Sequence, residues 1–316
     1  MESIYWVFTH RCNQYCSHCY NHSRPGAPTI TFAEADAVLA NLPEPRRLIL
    51  SGGEPLVERE LLLHILRGAH AKHGDKTRLA IQTNGDLLEA AILDELLEAG
   101  VQHISVASQD GYHVRRDGQR QRLGELLASR GLREVDVGDP AAAKLRDRTF
   151  SFWGATPGLW LGGLWPRGRA LRNGIWKRDP DHNFCALWSG ALGFLDSGSP
   201  RQEVAIQLTL MYPCCPSTVE PLGDVSKEPL LQILDRARGD PMWEALNKGE
   251  PWRWVTTPAS TLRSHASAFR SWAASASGAT STLPSIARSA TAAATMPPSP
   301  GPPASGQGPR KSRRSC

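Results

Sequence analysis

An alternation through the first half of the chain restricts its fold more than any other feature. Residues 4–9 (Ile-Tyr-Trp-Val-Phe-Thr) are β-branched and aromatic, a composition suited to a buried strand. Thr31 and Glu34 then stand at capping-box spacing, and Phe32, Ala35, Val38, Leu39 and Leu42 recur with a helical period. Residues 47–50 read as a second strand, followed by a helix with Leu62, Ile65, Leu66 and Ala69 on one face. Residues 78–82 read as a third strand. The next helix turns Leu88, Ala91, Ile92, Leu96 and Ala99 inward and stops at Gly100. Residues 103–108 and 133–137 supply a fourth and a fifth strand. Such alternation predicts parallel βα units, with the helices layered on one face of a curved sheet. The count, five or six units, predicts an incomplete barrel.

In such folds chemistry gathers where strands end. Here each strand runs into a distinctive polar stretch. The first leads to Cys12, Cys16 and Cys19, at C-x3-C-x2-C spacing. The second leads to Gly52-Gly53-Glu54-Pro55 and the third to Thr83-Asn84-Gly85, while Ser105, Ser108 and Asp110 close the fourth. Three thiolates can hold three irons of a [4Fe–4S] cubane and leave the fourth iron for another ligand. They can also hold zinc, with His10, His18 or His22 as the fourth ligand. A disulfide would leave one thiol over, and the close spacing disfavours it. Asp110 is placed to cap the segment after it, and His113 is either a proton carrier or an ordinary surface histidine.

The cysteine spacing, with His18 and Tyr20 flanking Cys19, resembles the signature of the radical S-adenosylmethionine (SAM) superfamily. Gly52-Gly53-Glu54-Pro55 resembles that superfamily's second motif. The resemblance implies a partial (β/α)6 TIM-like barrel over residues 1–170. It also implies a [4Fe–4S] cluster on Cys12, Cys16 and Cys19, and SAM held through its amino group by Gly52–Pro55. Tyr20, Thr83, Asn84, Ser105 and Ser108 complete the cofactor-binding positions, and a ribose is what Thr83, Asn84 and the 105–108 stretch would meet. The chemistry implied is reductive cleavage of SAM to methionine and a 5′-deoxyadenosyl radical, which takes hydrogen from a substrate carbon. A reductant such as flavodoxin or ferredoxin would supply the electron. Trp165-Pro166-Arg167-Gly168-Arg169-Ala170 resembles a turn that follows the last barrel strand in many members, which makes 159–164 the sixth strand.

Further along, the stretch ending Leu210-Met211-Tyr212-Pro213-Cys214-Cys215-Pro216 resembles the hairpin that opens SPASM or twitch auxiliary-cluster domains. Residues 171–255 are therefore expected to form such a region in incomplete form. Cys185, Cys214 and Cys215 fall short of the four ligands a second cluster usually needs, and read equally as ordinary reduced thiols. Five of the ten tryptophans (Trp153, Trp160, Trp165, Trp176 and Trp188) fall between Phe150 and Trp188, where they either wall a substrate site or, as expected, serve packing.

Charge separates the tail from the rest. Residues 256–316 hold seven Lys or Arg and no Asp or Glu, so residues 1–255 carry 29 basic against 31 acidic side chains, a net of −2. That balance gives no argument for nucleic acid. The tail, rich in Ala, Ser, Thr and Pro, is expected to be disordered, either as a native extension or as coding sequence read out of frame. Arg115, Arg116, Arg120 and Arg122 are expected on a solvated face. The start lacks a signal-peptide pattern, and no apolar run is long enough for a membrane helix, so a cytoplasmic protein is expected, with reduced thiols. The expected substrate is a peptide or a small molecule. The alternatives are a zinc-binding structural or interaction module, or an out-of-frame product with a cluster and no turnover.

Overall fold

A strand buried in a parallel sheet must turn the same face to the covering helices as its neighbours do, and the register here achieves this. The computed structural model describes residues 1–114, 117–136, 147–154, 168–175, 193–200, 202–213 and 221–250. Within it β1 (Ser3–Thr9), β2 (Arg47–Gly52), β3 (Arg78–Thr83) and β4 (Val101–Val106) lie side by side. Ile4 stands beside Leu48, Trp6 beside Leu50, Leu48 beside Leu79 and Ile81 beside Ile104. All belong to one core. It also takes in residues of α1 (Phe32–Asn41), α2 (Arg59–His73), α3 (Ala90–Glu98) and α4 (Gln119–Ser129). The alternate positions Tyr5, Ser51, Gln82, His103 and Ser105 point away from this core, so the face opposite the helices is largely polar.

The sheet is open, with the order β5-β6-β4-β3-β2-β1-β7-β8-β9. β6 (Thr149–Phe152) pairs in parallel with β4, and β5 (Arg133–Glu134) pairs with β6. The expected fifth strand is therefore two residues long and sits at the edge, one place further from β4 than chain order suggests. The expected sixth strand, 159–164, lies outside the described residues. After α5 (Gly168–Arg172), β7 (Glu203–Gln207) pairs in parallel with the other side of β1. β8 (Leu210–Tyr212) and β9 (Gly223–Asp224) then add antiparallel. The expected hairpin thus forms, and it extends the same sheet. Trp6 fastens this join, donating from Nε1 to the Leu208 carbonyl at 2.8 Å. α6 (Leu230–Ala237) buries Leu230, Ile233, Leu234 and Ala237, and α7 (Pro241–Asn247) follows. The architecture is α/β, an open parallel sheet of the partial-barrel kind.

Local signals held with small shifts. Thr31 and Glu34 form the reciprocal capping box, Glu34 N donating to Thr31 Oγ1 at 3.2 Å and Thr31 N to Glu34 Oε2 at 2.7 Å. Phe32 departs from the expected core series: at the first helical position it is 48% exposed and sits edge-on to His64. α3 begins only at Ala90, so Leu88 is buried in the preceding turn. The helix's inward set becomes Leu93, Leu96 and Leu97, Ile92 is partly buried and Ala91 exposed. β4 ends at Val106, two residues early; Ala107 N makes the last bond to β3, at the Thr83 carbonyl, and Gln109 N bonds the Trp153 carbonyl. No helix among the described residues is long and apolar enough to cross a membrane.

The contrast between Ile81 and Phe32 is measurable. Ile81→Ala, in the centre of the core, should cost about 3 kcal/mol in urea unfolding, whereas Phe32→Ala should stay within about 0.5 kcal/mol.

Candidate functional site

The three cysteines lie in the loop that leaves the C-terminal end of β1. Its stems are tied together by His10 N to the Pro28 carbonyl at 2.8 Å and Arg24 N to the His10 carbonyl at 3.2 Å. Beside them, β2 runs past the sheet edge, and Gly53 N and Glu54 N donate to the Thr9 and Arg11 carbonyls, both at 2.9 Å. A Cβ on Gly53 would stand 2.4 Å from the Arg11 oxygen, and one on Gly52 would stand 2.7 Å from Thr9 Cγ2. The close approach these glycines permit is to the stem of the cysteine loop itself.

Cys12, Cys16 and Cys19 are free thiols. Gln14 N donates to Cys12 Sγ at 3.4 Å and Ser23 N to Cys19 Sγ at 3.3 Å, while the Cys16 thiol donates to Gln14 Oε1 at 3.1 Å. Backbone N–H groups aimed at sulfur suit thiolates bound to iron. Burial pushes the Cys12 thiol up to about 11 and Cys16 up to about 12, so a metal bound here must displace their protons.

Glu54 is fully buried and is the other centre of the site. Its Oε1 accepts from Leu56 N at 3.0 Å and from the Thr83 hydroxyl at 2.7 Å; Oε2 accepts from Asn84 N at 2.7 Å. A carboxylate has about four lone-pair sites, so one remains, on Oε2. Burial still pushes this carboxyl up to about 7, against those hydrogen bonds. Pro55 opens the short turn that the Glu54 side chain caps ahead of α2.

Thr83 and Asn84 thus act on Glu54, and Asn84 Nδ2 also reaches Asn13 Oδ1 at 2.8 Å. Tyr20 hydrogen-bonds with Tyr5, whose hydroxyl donates to Ser51 Oγ at 2.7 Å on the polar sheet face. Ser105 Oγ accepts from Trp153 Nε1 at 2.6 Å. Ser108 lines a cleft with Gln109, Gln119 and Phe152 on the α4 side. The structure therefore gathers Cys12, Cys16, Cys19, Gly52, Gly53, Glu54, Thr83 and Asn84 into one bonded unit. Ser105 and Ser108 sit apart from it, on other partners.

Sequence reasoning missed Asp86. Its Oδ2 accepts from Gln14 Nε2 at 2.6 Å and from Asn13 Nδ2 at 3.1 Å, and its Oδ1 accepts from Gln119 Nε2 at 2.9 Å, tying the cysteine loop to α4. Its one sequence signal is its place directly after the Thr-Asn-Gly turn. Arg169, quoted earlier only as part of a terminal turn, also reaches the loop, with Nε donating to the Cys16 carbonyl at 2.7 Å.

Residues 6–125 match the family model described as the Radical SAM superfamily. This segment belongs to that superfamily. Over 109 residues the chain is 37% identical to the AdoMet-dependent heme synthase of Methanosarcina barkeri, covering 33% of this chain and 30% of that protein. Over 145 residues it is 32% identical to the GTP 3′,8-cyclase of Brucella abortus, covering 44% of this chain and 41% of that protein. The chain therefore spans less than half of the length of either relative. Among solved structures, BtrN in complex with AdoMet and 2-DOIA aligns at a TM-score of 0.49 and 15% identity, covering 81% of this chain and 90% of that one.

Around the radical SAM segment, the histidines considered for zinc have other neighbours. His10 Nε2 stands 3.2 Å from Gln207 Oε1, and His22 Nδ1 lies 2.8 Å from Arg172 Nη2. His18 packs 4.7 Å from the His113 ring, and its ligand atom lies within 4.8 Å of those of Asp110 and His113. Asp110 caps its own turn, accepting from Tyr112 N at 2.8 Å and His113 N at 3.0 Å, and also holds the His113 ring. Arg120 pairs with Glu134, and Arg122 with the Leu88 carbonyl. Arg115, Arg116, Trp160, Trp165, Trp176, Cys185, Trp188, Cys214, Cys215 and residues 256–316 lie outside the described residues.

Gly53→Ala should force the β2 end and the loop stem apart. Overpacking against backbone predicts a loss of about 2–3 kcal/mol in urea unfolding, whereas the uncrowded exposed Gly111 should tolerate Ala within about 0.5 kcal/mol.

Proposed function

We propose that this chain is a radical SAM enzyme. Cys12, Cys16 and Cys19 would hold a [4Fe–4S] cluster, and Glu54 with the Gly52–Pro55 backbone would receive the amino group of SAM. The observation that carries the reading is the direct bonding of the cysteine loop to Gly53 and Glu54, which fixes a three-thiol site and a buried carboxylate in one piece. The donor chemistry fits: free thiols with N–H groups on two sulfurs, and a carboxylate with one lone pair left for an ammonium. A cluster bound here supplies the electron for reductive cleavage of SAM. The chain's own residues do the rest. Thr83 and Asn84 orient Glu54, and Asn13 and Gln14 hold the loop on Asp86. Tyr20, bonded to Tyr5 of the polar sheet face, and Ser105 on that face would be further positions toward the cofactor, with Ser108 beyond them.

A lone zinc is less well served. Zinc-bound thiolates lie about 2.3 Å from one ion. Among the described residues, the metal-capable group within 4.8 Å is His18, Asp110 and His113, without the cysteines. For the substrate, a small hydrogen-bonding molecule is favoured over a peptide. The sheet face opposite the helices carries Tyr5, Ser51, Gln82, His103 and Ser105, and burial holds His103 neutral, down to about 4. The relatives are named for heme and GTP. A flavodoxin- or ferredoxin-type reductant and a cytoplasmic setting belong to the same proposal; Cys185, Cys214 and Cys215 are one ligand short of a second cluster.

Anaerobic reconstitution should give a brown protein with four irons and four sulfides per chain that releases 5′-deoxyadenosine from SAM under strong reduction. Cys16→Ala should abolish both colour and release. A colourless protein holding one zinc would overturn the reading.

Glu54 predicts a pH dependence. Its carboxyl, raised to about 7, is protonated below that pH, and an ammonium pairs only with the ionised form. The ratio of wild-type to Glu54→Gln affinity for SAM should therefore fall as pH drops below about 7, by up to about tenfold per unit. Isothermal titration calorimetry at pH 6, 7 and 8 measures it, and a flat ratio would remove Glu54 from the ammonium site.

A further inference from the structure

Arg169 places a buried cation against the cysteine loop. It comes from α5, far along the chain, and is only 3% exposed. Its backbone N donates to the Cys19 carbonyl at 2.8 Å. Its Nε donates to the Cys16 carbonyl at 2.7 Å, and Nη2 to the Ser23 carbonyl, also at 2.7 Å. The guanidinium lies 4.1 Å over the Tyr15 ring. The contact depends on Gly168, at φ +60°, where a Cβ would stand 2.4 Å from the Tyr20 oxygen and 2.5 Å from that of Cys19. Asn173 adds a neutral tie, from Nδ2 to the Ser17 carbonyl at 2.9 Å.

Two carbonyls accept from the guanidinium and a ring lies under it, but none of these neutralises the cation. Among the described residues no carboxylate forms an ion pair with Arg169. Leaving a buried charge without a counter-charge costs several kcal/mol, so one is expected close by. The loop around it carries three cysteines, which bind metal as thiolates and so bring negative charge to this place when a cluster is held. Carbonyl ties alone could be made by a neutral donor, as Asn173 shows, so the cation needs a reason beyond scaffolding.

We infer that Arg169 is a positioning residue that also serves as the fixed counter-charge of the cluster. It would make the one-electron step from the 2+ to the 1+ state easier than a neutral side chain would. This rests on the cluster reading above. Cluster potentials follow local net charge, hydrogen bonding and exposure, and a nearby buried cation stabilises the form holding the extra electron.

The test is an EPR-monitored redox titration of the reconstituted full-length protein with a low-potential one-electron chemical reductant. Wild type, Arg169→Lys, Arg169→Gln and Asn173→Ala are compared for midpoint potential and iron content. Arg169→Gln should disfavour the reduced state at least tenfold, a shift of 59 mV or more to the negative for one electron. Arg169→Lys, which keeps the charge, and Asn173→Ala, which cuts only a neutral tie, should stay near wild type. The inference is overturned if Arg169→Gln matches wild type or if Lys falls as far as Gln. It is also overturned if neither Arg169 variant keeps four irons, which would leave a scaffolding role alone. A wild-type protein that assembles no cluster would instead overturn the reading on which this one rests.

Discussion

Two backbone hydrogen bonds, from Gly53 N to the Thr9 carbonyl and from Glu54 N to that of Arg11, carry the site. They continue the β1–β2 pairing past the point where the sheet ends. Only residues without Cβ allow it, because Arg11 O would lie 2.4 Å from a methyl at position 53. The cysteine loop is thereby made an extension of the sheet rather than a free excursion. A loop of this length has too few apolar groups of its own to hold three sulfurs in place; bonded to β2, it borrows the rigidity of the core beneath it.

Charge is arranged around that junction with unusual economy. Glu54 sits fully buried under three donors with one lone pair left, and Asp86 collects neutral amides from the loop and from α4. Arg169 enters from the distant α5 and closes over the Cys16 and Cys19 carbonyls. Among the described residues, Glu54 and Arg169 are each held by neutral partners. Such groups are poised for a charged ligand, because that ligand supplies the counter-charge the protein withholds. The same logic separates them from Asp110, whose oxygens are engaged by its own turn and by His113.

The βα alternation, the capping box at Thr31, the three thiols and the Gly-Gly-Glu-Pro stretch were legible because each is a local pattern with a local cause. Strand faces follow a period of two, caps follow dihedral preference, and ligand spacing follows metal geometry. What distance along the chain decides was not legible. Residues 133–137 were expected as the fifth strand, yet only Arg133–Glu134 is strand, at the sheet edge, and Thr149–Phe152 lies beside β4. Nothing local showed that Thr83 and Asn84 would bond Glu54 and Asn13, or that Gly53 would lie against the loop stem.

The sequence by itself thus determined the class of fold, the three metal-capable thiols and the strand ends at which chemistry would collect. Those properties are written in residue type and spacing over a few turns of chain. Only the tertiary structure decided that Asp86 would fasten the loop, that Arg169 would arrive from residue 169 to cover residues 16–23, and that β7 would pair beside β1. These depend on contacts between segments dozens to hundreds of residues apart, where no local propensity selects the partner and close packing of the whole sheet does.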